Sequence, residues 1–207
     1  MPTETFFRLN ESKQERIINA IKDEITRSSY EDFSIGNVVK QSGISRGSFY
    51  QYFHNKDDIY RYLLEEYRTD IQQYARKSIS DNGGDFFNMI EMTFRFTARM
   101  LCYRDSKSFR YHLFCNRPML KLITMQGDYI GEEEKIFDIQ NLREDINFDL
   151  LSFEDETDLE RLFNICIITA LRDLAGIFIS DDKEQHVLEN FLPKLELLRR
   201  AYHAPQQ

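Results

Sequence analysis

The residues best suited to chemistry lie in the segment from Ser34 to Lys56, which contains no aspartate or glutamate. Its cations are Lys40, Arg46 and Lys56, and they are interspersed with serine and tyrosine hydroxyls. A guanidinium can donate two parallel hydrogen bonds to the edge of a guanine or to a phosphate, and ammonium and hydroxyl groups donate to phosphate oxygens. These residue types therefore favour binding to a polyanion such as a nucleic-acid duplex.

Two short helices are needed to position these groups. Ser34 is a typical N-cap, so a helix is predicted over about residues 35–41, and Gly43 supplies the left-handed residue that ends it. Ser45 then caps a second helix. Two helices joined by a turn of about three or four residues that contains glycine form a helix-turn-helix. In that motif the second helix, the recognition helix, enters the major groove of DNA and its first residues meet the base edges.

The spacing of the aromatic residues predicts which side of the recognition helix faces outward. Phe49 and Phe53 lie four residues apart and are expected in the core, which turns Arg46 and Tyr50 toward solvent. Gly47 allows the backbone to come close to DNA. The predicted DNA-binding residues are Ser34, Ser45, Arg46, Gly47, Ser48, Tyr50, Gln51, Tyr52 and Lys56. Helix corners of this shape also occur in bundles that never touch DNA, so shape alone leaves both interpretations open.

This part of the chain resembles the tetracycline-repressor (TetR) family of bacterial transcription regulators. The resemblance covers about residues 12–65 and rests on the segments 16–20 (RIINA), 34–35 (SI), 43–50 (GISRGSFY) and 52–59 (YFHNKDDI). It implies that the recognition helix reads the major groove, that Tyr50 and Lys56 contact phosphate, and that the last two helices form a dimer interface. The departures are residues 30–33 (YEDF) where a glycine is usual, Val38 where alanine is commoner, and Tyr52 where histidine is commoner.

The composition predicts long helices throughout. Eight glycines and four prolines in 207 residues leave few tight corners. A capping box from Ser12 to Glu15 predicts the start of the first helix, and Asn55 is the expected cap of a helix over about residues 56–78. Further helices are predicted at about 86–104, 107–115, 118–140, 157–180 and 183–203. The expected fold class is all-α, with an N-terminal helix-turn-helix domain (1–56), the linking helix, and a larger helical ligand-binding and dimerisation domain (80–207).

The charge distribution separates these two domains. Residues 1–77 carry 12 basic and 12 acidic side chains, whereas residues 78–207 carry 15 and 23, so the whole net charge of −8 lies in the second part. The most apolar stretch, residues 162–179, contains charged side chains, which argues against a membrane span and against a membrane as partner. The N-terminus has no secretion signal, and three scattered cysteines are too few for a disulfide framework. We therefore expect a cytoplasmic location.

The chain shows no catalytic or metal-binding motif. Its four histidines are isolated, and it contains no glycine-rich phosphate loop. We therefore expect no cofactor, no metal site and no enzymatic activity. The three cysteines, Cys102, Cys115 and Cys166, lie in apolar helical surroundings and are expected to be buried structural thiols.

The second domain contains many aromatic and methionine side chains. They suit the wall of a cavity for a small apolar or aromatic inducer, and they suit a packed core equally well. The candidate ligand-binding residues are Phe94, Phe96, Met100, Tyr103, Phe109 and Phe114. The candidate dimer-interface residues, on the last two predicted helices, are Phe163, Ile167, Leu171, Leu174, Phe178, Phe191, Leu195 and Leu198.

Together these features predict a ligand-responsive homodimeric repressor that binds double-stranded DNA at a near-palindromic operator. In the mechanism that the resemblance implies, a small molecule enters the second domain and moves the linking helix, so that the two recognition helices no longer match successive major grooves. The alternative is a DNA-bound protein of the same fold whose second domain docks a protein partner. A large closed apolar cavity favours the first hypothesis, and an exposed apolar patch favours the second.

Overall fold

The computed structural model describes residues 1–102, 109, 112–113, 139–153, 157–179 and 183–204 of the chain. Within these ranges every regular element is a helix, and the one β-type contact is an isolated antiparallel bridge between Leu151 and His203. The predicted all-α class is confirmed for this part of the chain. The predicted helices at 107–115 and 118–140 lie largely outside the described residues.

The α-helices of the described residues are α1 (Glu4–Phe7), α2 (Glu11–Arg27), α3 (Ile35–Ser42), α4 (Arg46–Tyr52), α5 (Lys56–Asp81), α6 (Phe86–Cys102), α7 (Asp158–Ile179) and α8 (Glu184–Tyr202). Two short 3₁₀ helices span Ile139–Asp145 and Phe148–Leu150. The chain forms two compact units, the first from residues 1–67 and 104–120, the second from residues 68–103 and 121–207. The division falls inside α5, so the helix predicted as a linker contributes residues to both units.

The start of α2 differs from the prediction. Asn10, not Ser12, is its N-cap, and Asn10 Oδ1 accepts a hydrogen bond of 2.9 Å from the Lys13 N–H. Asparagine and serine are about equally good N-caps, so a serine-based capping pattern does not exclude an asparagine two residues earlier. The buried residues of α2 recur at helical spacing and are Ile17, Ala20, Ile21, Glu24 and Ile25.

The helix-turn-helix of α3 and α4 has the predicted caps. Ser34 Oγ accepts a hydrogen bond of 3.3 Å from the Asn37 N–H, and Ser45 Oγ accepts one of 3.0 Å from the Ser48 N–H. Gly43 ends α3 with a φ of 67°, a left-handed conformation that glycine adopts without steric cost. The roles predicted for Ser34, Gly43 and Ser45 are confirmed.

α5 begins and ends at recognisable signals. Asn55 Oδ1 accepts a hydrogen bond of 3.0 Å from the Asp58 N–H, which confirms the predicted cap. Beyond its last turn, Gly84 has a φ of 82°, and a Cβ at this position would lie 2.6 Å from the backbone nitrogen of Asn147. Only glycine fits there, and its carbonyl accepts a hydrogen bond of 3.0 Å from the Asn147 N–H.

The second unit is built around α6, α7 and α8, each of which packs against the other two. Phe94 of α6 stacks on Phe191 of α8 with ring centroids 3.8 Å apart. α8 continues through Pro193 to Tyr202, whose carbonyl accepts a hydrogen bond of 2.7 Å from the Ser152 N–H. This contact ties the carboxyl end of α8 to the segment after the second 3₁₀ helix.

Candidate nucleic-acid interface

The recognition helix α4 has an aromatic side in the core of the first unit and a polar side toward solvent. Phe49 and Phe53 are completely buried, whereas Arg46 and Gln51 are exposed. Tyr50 exposes 43% of its surface. The orientation that the spacing of the two phenylalanines predicts is confirmed.

The polar side of α4 is organised by a contact between Arg46 and Tyr50, which lie one turn apart. The guanidinium carbon of Arg46 is 5.9 Å from the ring centroid of Tyr50, and Arg46 Nη2 is 3.5 Å from the Tyr50 hydroxyl oxygen. A cation over an aromatic ring at an exposed site is attracted by about 0.5–1 kcal/mol, which narrows the range of positions that the guanidinium samples. The contact holds the arginine near the start of the helix, where base contacts are made in helix-turn-helix proteins.

Small polar residues surround the starts of α3 and α4. Ser45 and Gly47 are exposed, and Ser34 and Ser48 are half-buried. The hydroxyl oxygens of Ser45 and Ser48 are 2.9 Å apart. A serine hydroxyl both accepts and donates, so a cap serine that accepts from its own helix still carries a hydrogen suited to an anion. These residues lie beside the exposed backbone N–H groups at two helix N-termini.

Tyr52 does not belong to this exposed surface, which corrects its prediction as a DNA-binding residue. Its side chain is 4% exposed, and its ring meets that of Phe6 edge-on at 6.2 Å between centroids. Lys13 Nζ lies 5.8 Å from the Tyr52 ring centroid on another side. The cause is α1, which the sequence analysis did not predict and which places an aromatic side chain against the end of α4.

Lys56 is half-buried at the first turn of α5 and has partners within the first unit. Its Nζ donates a hydrogen bond of 2.8 Å to the carbonyl oxygen of Tyr30 and lies 4.0 Å from the centroid of the Tyr30 ring. An ammonium group has three N–H donors, so the bond to one carbonyl leaves capacity for a phosphate. Lys56 therefore remains a candidate phosphate contact.

The N-terminal residues fasten the carboxyl end of α4, a feature that the sequence analysis missed. The Thr3 N–H donates a hydrogen bond of 2.9 Å to the Tyr52 carbonyl, and Thr3 Oγ1 donates one of 2.6 Å to the Gln51 carbonyl. Phe6 is completely buried, with its ring centroid 5.1 Å from that of Phe53. We call residues 1–8 the N-terminal clasp. Its sequence signal is a pair of phenylalanines at positions 6 and 7 in an otherwise polar segment.

A buried glutamate on α2 holds the start of α3, and the sequence analysis missed it as well. The Glu24 carboxylate accepts hydrogen bonds from the Ser34 N–H at 3.1 Å and from Asn37 Nδ2 at 3.0 and 3.2 Å. Arg27 Nη2 lies 3.4 Å from the same carboxylate. A buried charge is costly unless it is paired and hydrogen-bonded, and these contacts satisfy that condition. Glu24 thus positions the helix that precedes the recognition helix.

Asp58, in the first turn of α5, is a second carboxyl group that is buried in the first unit. It accepts hydrogen bonds from the Met1 amino group at 2.6 Å and from the His54 N–H at 3.1 Å. Burial raises the pKa of the Asp58 carboxyl, but these hydrogen bonds and the neighbouring positive charges outweigh burial and hold the pKa below its usual value. The charged form of Asp58 is therefore part of the fold.

The candidate ligand-binding residues on α6 differ in their surroundings. Phe94 is buried and stacked on Phe191, as part of the core. Phe96 is half-buried and stacks on Tyr74 of α5 with ring centroids 4.2 Å apart. Met100 is buried near the end of the helix. These positions support the packed-core alternative for Phe94 and leave the alternatives open for Phe96 and Met100.

The remaining candidate ligand-binding residues lie after α6. Phe109 belongs to the first unit, where Lys22 Nζ is 5.4 Å from its ring centroid. Tyr103 and Phe114 lie outside the described residues. The ligand-binding role predicted for these three residues stays a prediction.

Four of the candidate dimer-interface residues are buried inside their own protomer, which corrects their prediction, whereas the role of the other four stays a prediction. Phe163, Leu174, Phe191 and Leu195 are buried, and Ile167, Leu171 and Leu198 are half-buried. The side chain of Phe178 lies outside the described residues. α7 and α8 pack against each other and against α6, and Phe191 of α8 stacks on Phe94 of α6. Among the side chains of these two helices that the structure describes, the exposed large apolar ones are Ile165 (45%), Ile168 (57%) and Leu197 (70%).

Two of the three cysteines, Cys102 and Cys166, lie in the described residues. Burial raises the pKa of the Cys166 thiol to about 12, which keeps it protonated, as expected for a structural cysteine. Cys102 is half-buried, and Cys115 lies outside the described residues.

Among the residues that can be described, no group of three or more His, Cys, Asp or Glu side chains could hold a metal ion. No helix in the described ranges is long and apolar enough to cross a membrane.

Comparisons with known proteins cover both parts of the chain. Residues 17–63 match bacterial regulatory proteins of the tetR family, and residues 85–200 match the tetracyclin repressor-like C-terminal domain. Over 70 residues the chain is 24% identical to the "uncharacterized HTH-type transcriptional regulator YdgC" of Bacillus subtilis (strain 168). This alignment covers 34% of the chain and 36% of the relative, so the chain matches about a third of the length of that curated protein.

A solved structure is also similar to this chain. It is the crystal structure of a TetR family transcriptional regulator from Chloroflexus aurantiacus J-10-FL, with 18% sequence identity and a TM-score of 0.49 over 99% of this chain and 100% of that one. The family assignment does not depend on it, because the C-terminal match alone spans more than half of the chain and the N-terminal match includes the whole helix-turn-helix. The chain belongs to the TetR family of bacterial regulatory proteins.

Proposed function

We propose that this protein is a sequence-specific DNA-binding transcription regulator in which α4 lies in the major groove of double-stranded DNA. The observation that carries the proposal is the exposed side of α4, where Tyr50 orders the guanidinium of Arg46. The segment 34–56 around this arginine contains no acidic residue. A cationic segment without acidic residues suits the DNA backbone, and a guanidinium near the start of a recognition helix suits the edge of a guanine.

The other residues of the proposed DNA-binding surface position the protein on the duplex. Gly47 permits a close approach of the backbone, and Gln51 lies one helical turn beyond it on the same exposed side. Tyr50 and Lys56 donate to phosphate oxygens, which fixes the register of α4 without reading sequence. The proposed phosphate contacts from cap and first-turn hydroxyls are Ser34, Ser45 and Ser48.

The proposal includes a homodimer whose two recognition helices read a near-palindromic operator. We place its interface on the exposed apolar residues of α7 and α8, which are Ile165, Ile168 and Leu197, in place of the residues that pack inside the protomer. Exposed apolar side chains on neighbouring helices gain free energy when a second copy removes them from water. Asp173 and Lys194, joined by an ion pair of 2.7 Å, provide a polar contact between the same two helices.

The second unit is proposed to bind a small apolar or aromatic inducer that weakens DNA binding, as the family resemblance implies. A coupling free energy of about 1–3 kcal/mol between two sites is typical and changes affinity by roughly 5- to 150-fold. Such a coupling makes the protein a repressor that is released by its ligand. It requires binding steps alone, so the proposal assigns no enzymatic activity, and it places the protein in the cytoplasm with the DNA.

Selection of genomic DNA fragments by the purified protein tests the central proposal. We expect recovered fragments to share a motif with two similar half-sites about one helical turn apart, because a two-fold dimer presents two recognition helices. Affinity for this motif should exceed affinity for random duplex DNA by about 10³-fold or more. Equal affinity for selected and random DNA at physiological salt contradicts sequence-specific binding.

Arg46→Ala tests which residue reads the bases. We expect operator binding to weaken by about 1–3 kcal/mol and the preference at one base pair of each half-site to relax. Arg8→Ala is the matched control, since Arg8 is an exposed arginine of the same unit whose ion pair is with Glu4. Titrating both variants with operators that carry single base-pair changes measures their affinity and their preference at each base pair. An unchanged base preference in Arg46→Ala removes Arg46 from the base-reading role.

A further inference from the structure

We propose that Tyr30 is a positioning residue that presents the Lys56 ammonium to a DNA phosphate, an inference that rests on the proposed function. Tyr30 lies in the loop between α2 and α3, 26 residues before Lys56. Its carbonyl oxygen accepts from Lys56 Nζ at 2.8 Å, and its ring centroid lies 4.0 Å from the same nitrogen. Two different parts of one residue therefore hold one ammonium group.

The Tyr30 ring is itself held by the first two turns of α5. Its hydroxyl donates a hydrogen bond to the carboxylate of Asp57, and its ring meets that of Tyr60 edge-on at 5.0 Å between centroids. Tyr60 is buried, and Phe33 from the same loop packs on its ring at 5.9 Å. Because the loop and the start of α5 are joined by these contacts, the Tyr30 ring offers Lys56 a fixed surface.

The expected consequence is pre-organisation of a flexible cation. A lysine side chain has four rotatable bonds, and immobilising such a side chain on binding typically weakens association by about 2- to 10-fold. A cation already held against an aromatic ring has lost much of that freedom before DNA arrives. The carbonyl of Tyr30 occupies one N–H of the ammonium, so two further N–H groups are available to phosphate oxygens.

A double-mutant cycle tests the inference. Affinity for a random-sequence duplex at low ionic strength is measured for wild type, Tyr30→Leu, Lys56→Ala and the double variant. We expect Lys56→Ala to weaken binding and to flatten the slope of log K against log salt by about 0.9. Tyr30→Leu should weaken binding by about 2- to 10-fold when Lys56 is present and have no effect when residue 56 is alanine. Tyr30→Phe keeps the ring, the carbonyl and the contact with Tyr60 but loses the hydrogen bond to Asp57, so it should bind much closer to wild type than Tyr30→Leu does.

The outcomes separate the inference from the proposed function. If wild type binds no DNA, the proposed function fails. If Lys56→Ala weakens binding but Tyr30→Leu weakens it equally in both backgrounds, Tyr30 acts on the fold and the inference fails alone. An unchanged affinity of Lys56→Ala also overturns the inference, while DNA binding stands.

A measurement on the free protein tests the contact between Tyr30 and Lys56 without relying on Tyr30→Leu. In the NMR spectrum of wild type and Tyr30→Phe, the Lys56 side-chain methylene protons nearest Nζ should be shifted upfield by the ring beneath them. Methylene shifts at the position of an unstructured lysine in wild type overturn the contact on which the inference stands.

Discussion

Two buried carboxylates, Glu24 and Asp58, hold the segment that carries the proposed DNA-binding surface. Glu24 accepts from the Ser34 N–H at the start of this segment, and Asp58 accepts from the His54 N–H near its end. Both charges lie beside the N-terminus of a helix, where the helix dipole stabilises a negative charge. The carboxylates that anchor the segment thus belong to α2 and to the first turn of α5, and the segment itself contains none.

Asp58→Asn tests the charged anchor through its pH dependence. Because the pKa of Asp58 is lowered in the folded protein, the carboxylate stabilises the fold at pH values above its unfolded-state pKa of about 3.9. We expect the variant to be less stable than wild type by a constant amount between about pH 5 and 7, and this difference to shrink as the pH falls below about 4. Urea unfolding of wild type and Asp58→Asn at several pH values measures this difference in the free energy of unfolding. A difference that grows on acidification contradicts the assignment.

The recognition helix depends on elements that are distant from it in the sequence. α4 has seven residues, and isolated helices shorter than about 12–15 residues are marginal in water. Its start is stabilised locally by Ser45, but its end is stabilised by the N-terminal clasp, through Thr3 and Phe6. The clasp is therefore part of the structure that orients α4, although the two segments are far apart in the sequence.

Phe6→Ala tests the contribution of the clasp, and Phe7→Ala is its matched control. Phe6 is completely buried, whereas Phe7 exposes 51% of its surface one residue later. Removing a buried phenylalanine costs about 3–5 kcal/mol because apolar contacts are lost and a cavity is left. Loss of an exposed one is expected to cost about 0.5 kcal/mol or less. Chemical unfolding of wild type and of both variants gives the free energy of unfolding of the first unit, and from it the loss caused by each substitution. Equal effects of the two substitutions contradict the role of the clasp.

The two parts of the chain, residues 1–77 and residues 78–207, have different charges and, in our proposal, different tasks. The acidic excess of −8 belongs to residues 78–207, and residues 1–77 are neutral overall. An acidic second part is repelled by DNA, which leaves the neutral part with its acid-free segment as the surface that approaches the duplex. The second part then provides dimerisation, which requires an exposed apolar face on α7 and α8.

Ile168→Asp and Leu197→Asp test this face in the whole molecule. A charge buried in an interface without a partner is strongly unfavourable, so each variant should sediment as a monomer while its circular dichroism remains helical. Met92→Asp is the matched control, since Met92 is an exposed apolar residue on α6. Operator affinity should fall with loss of the dimer, because each monomer contacts one half-site. Dimers of both variants at wild-type stability contradict the proposed interface.

Much of the local structure follows from sequence because its causes are close in sequence. Ser34, Ser45 and Asn55 each accept a hydrogen bond from a residue three positions later, and Gly43 is required by its own backbone conformation. Cap signals of this kind act within one helical turn, so reading them needs no knowledge of the tertiary fold. The outward position of Arg46 follows in the same way from the spacing of the phenylalanines on its helix.

Other features depend on elements far away in the chain. They are the burial of Tyr52, the roles of Glu24 and Tyr30, and the exposed face of α7. Tyr52 packs against Phe6, and Glu24 accepts a hydrogen bond from Asn37. Neither environment can therefore be predicted from the residues adjacent in sequence. α7 is apolar around most of its circumference, and a helix of this kind gives no sign of which side its own protomer uses. By itself the sequence determined most of the longer helices that the structure describes, the caps of α3, α4 and α5, and the polar surface of α4. The tertiary structure decided which apolar and charged groups remain accessible, because accessibility depends on the partners that packing brings together.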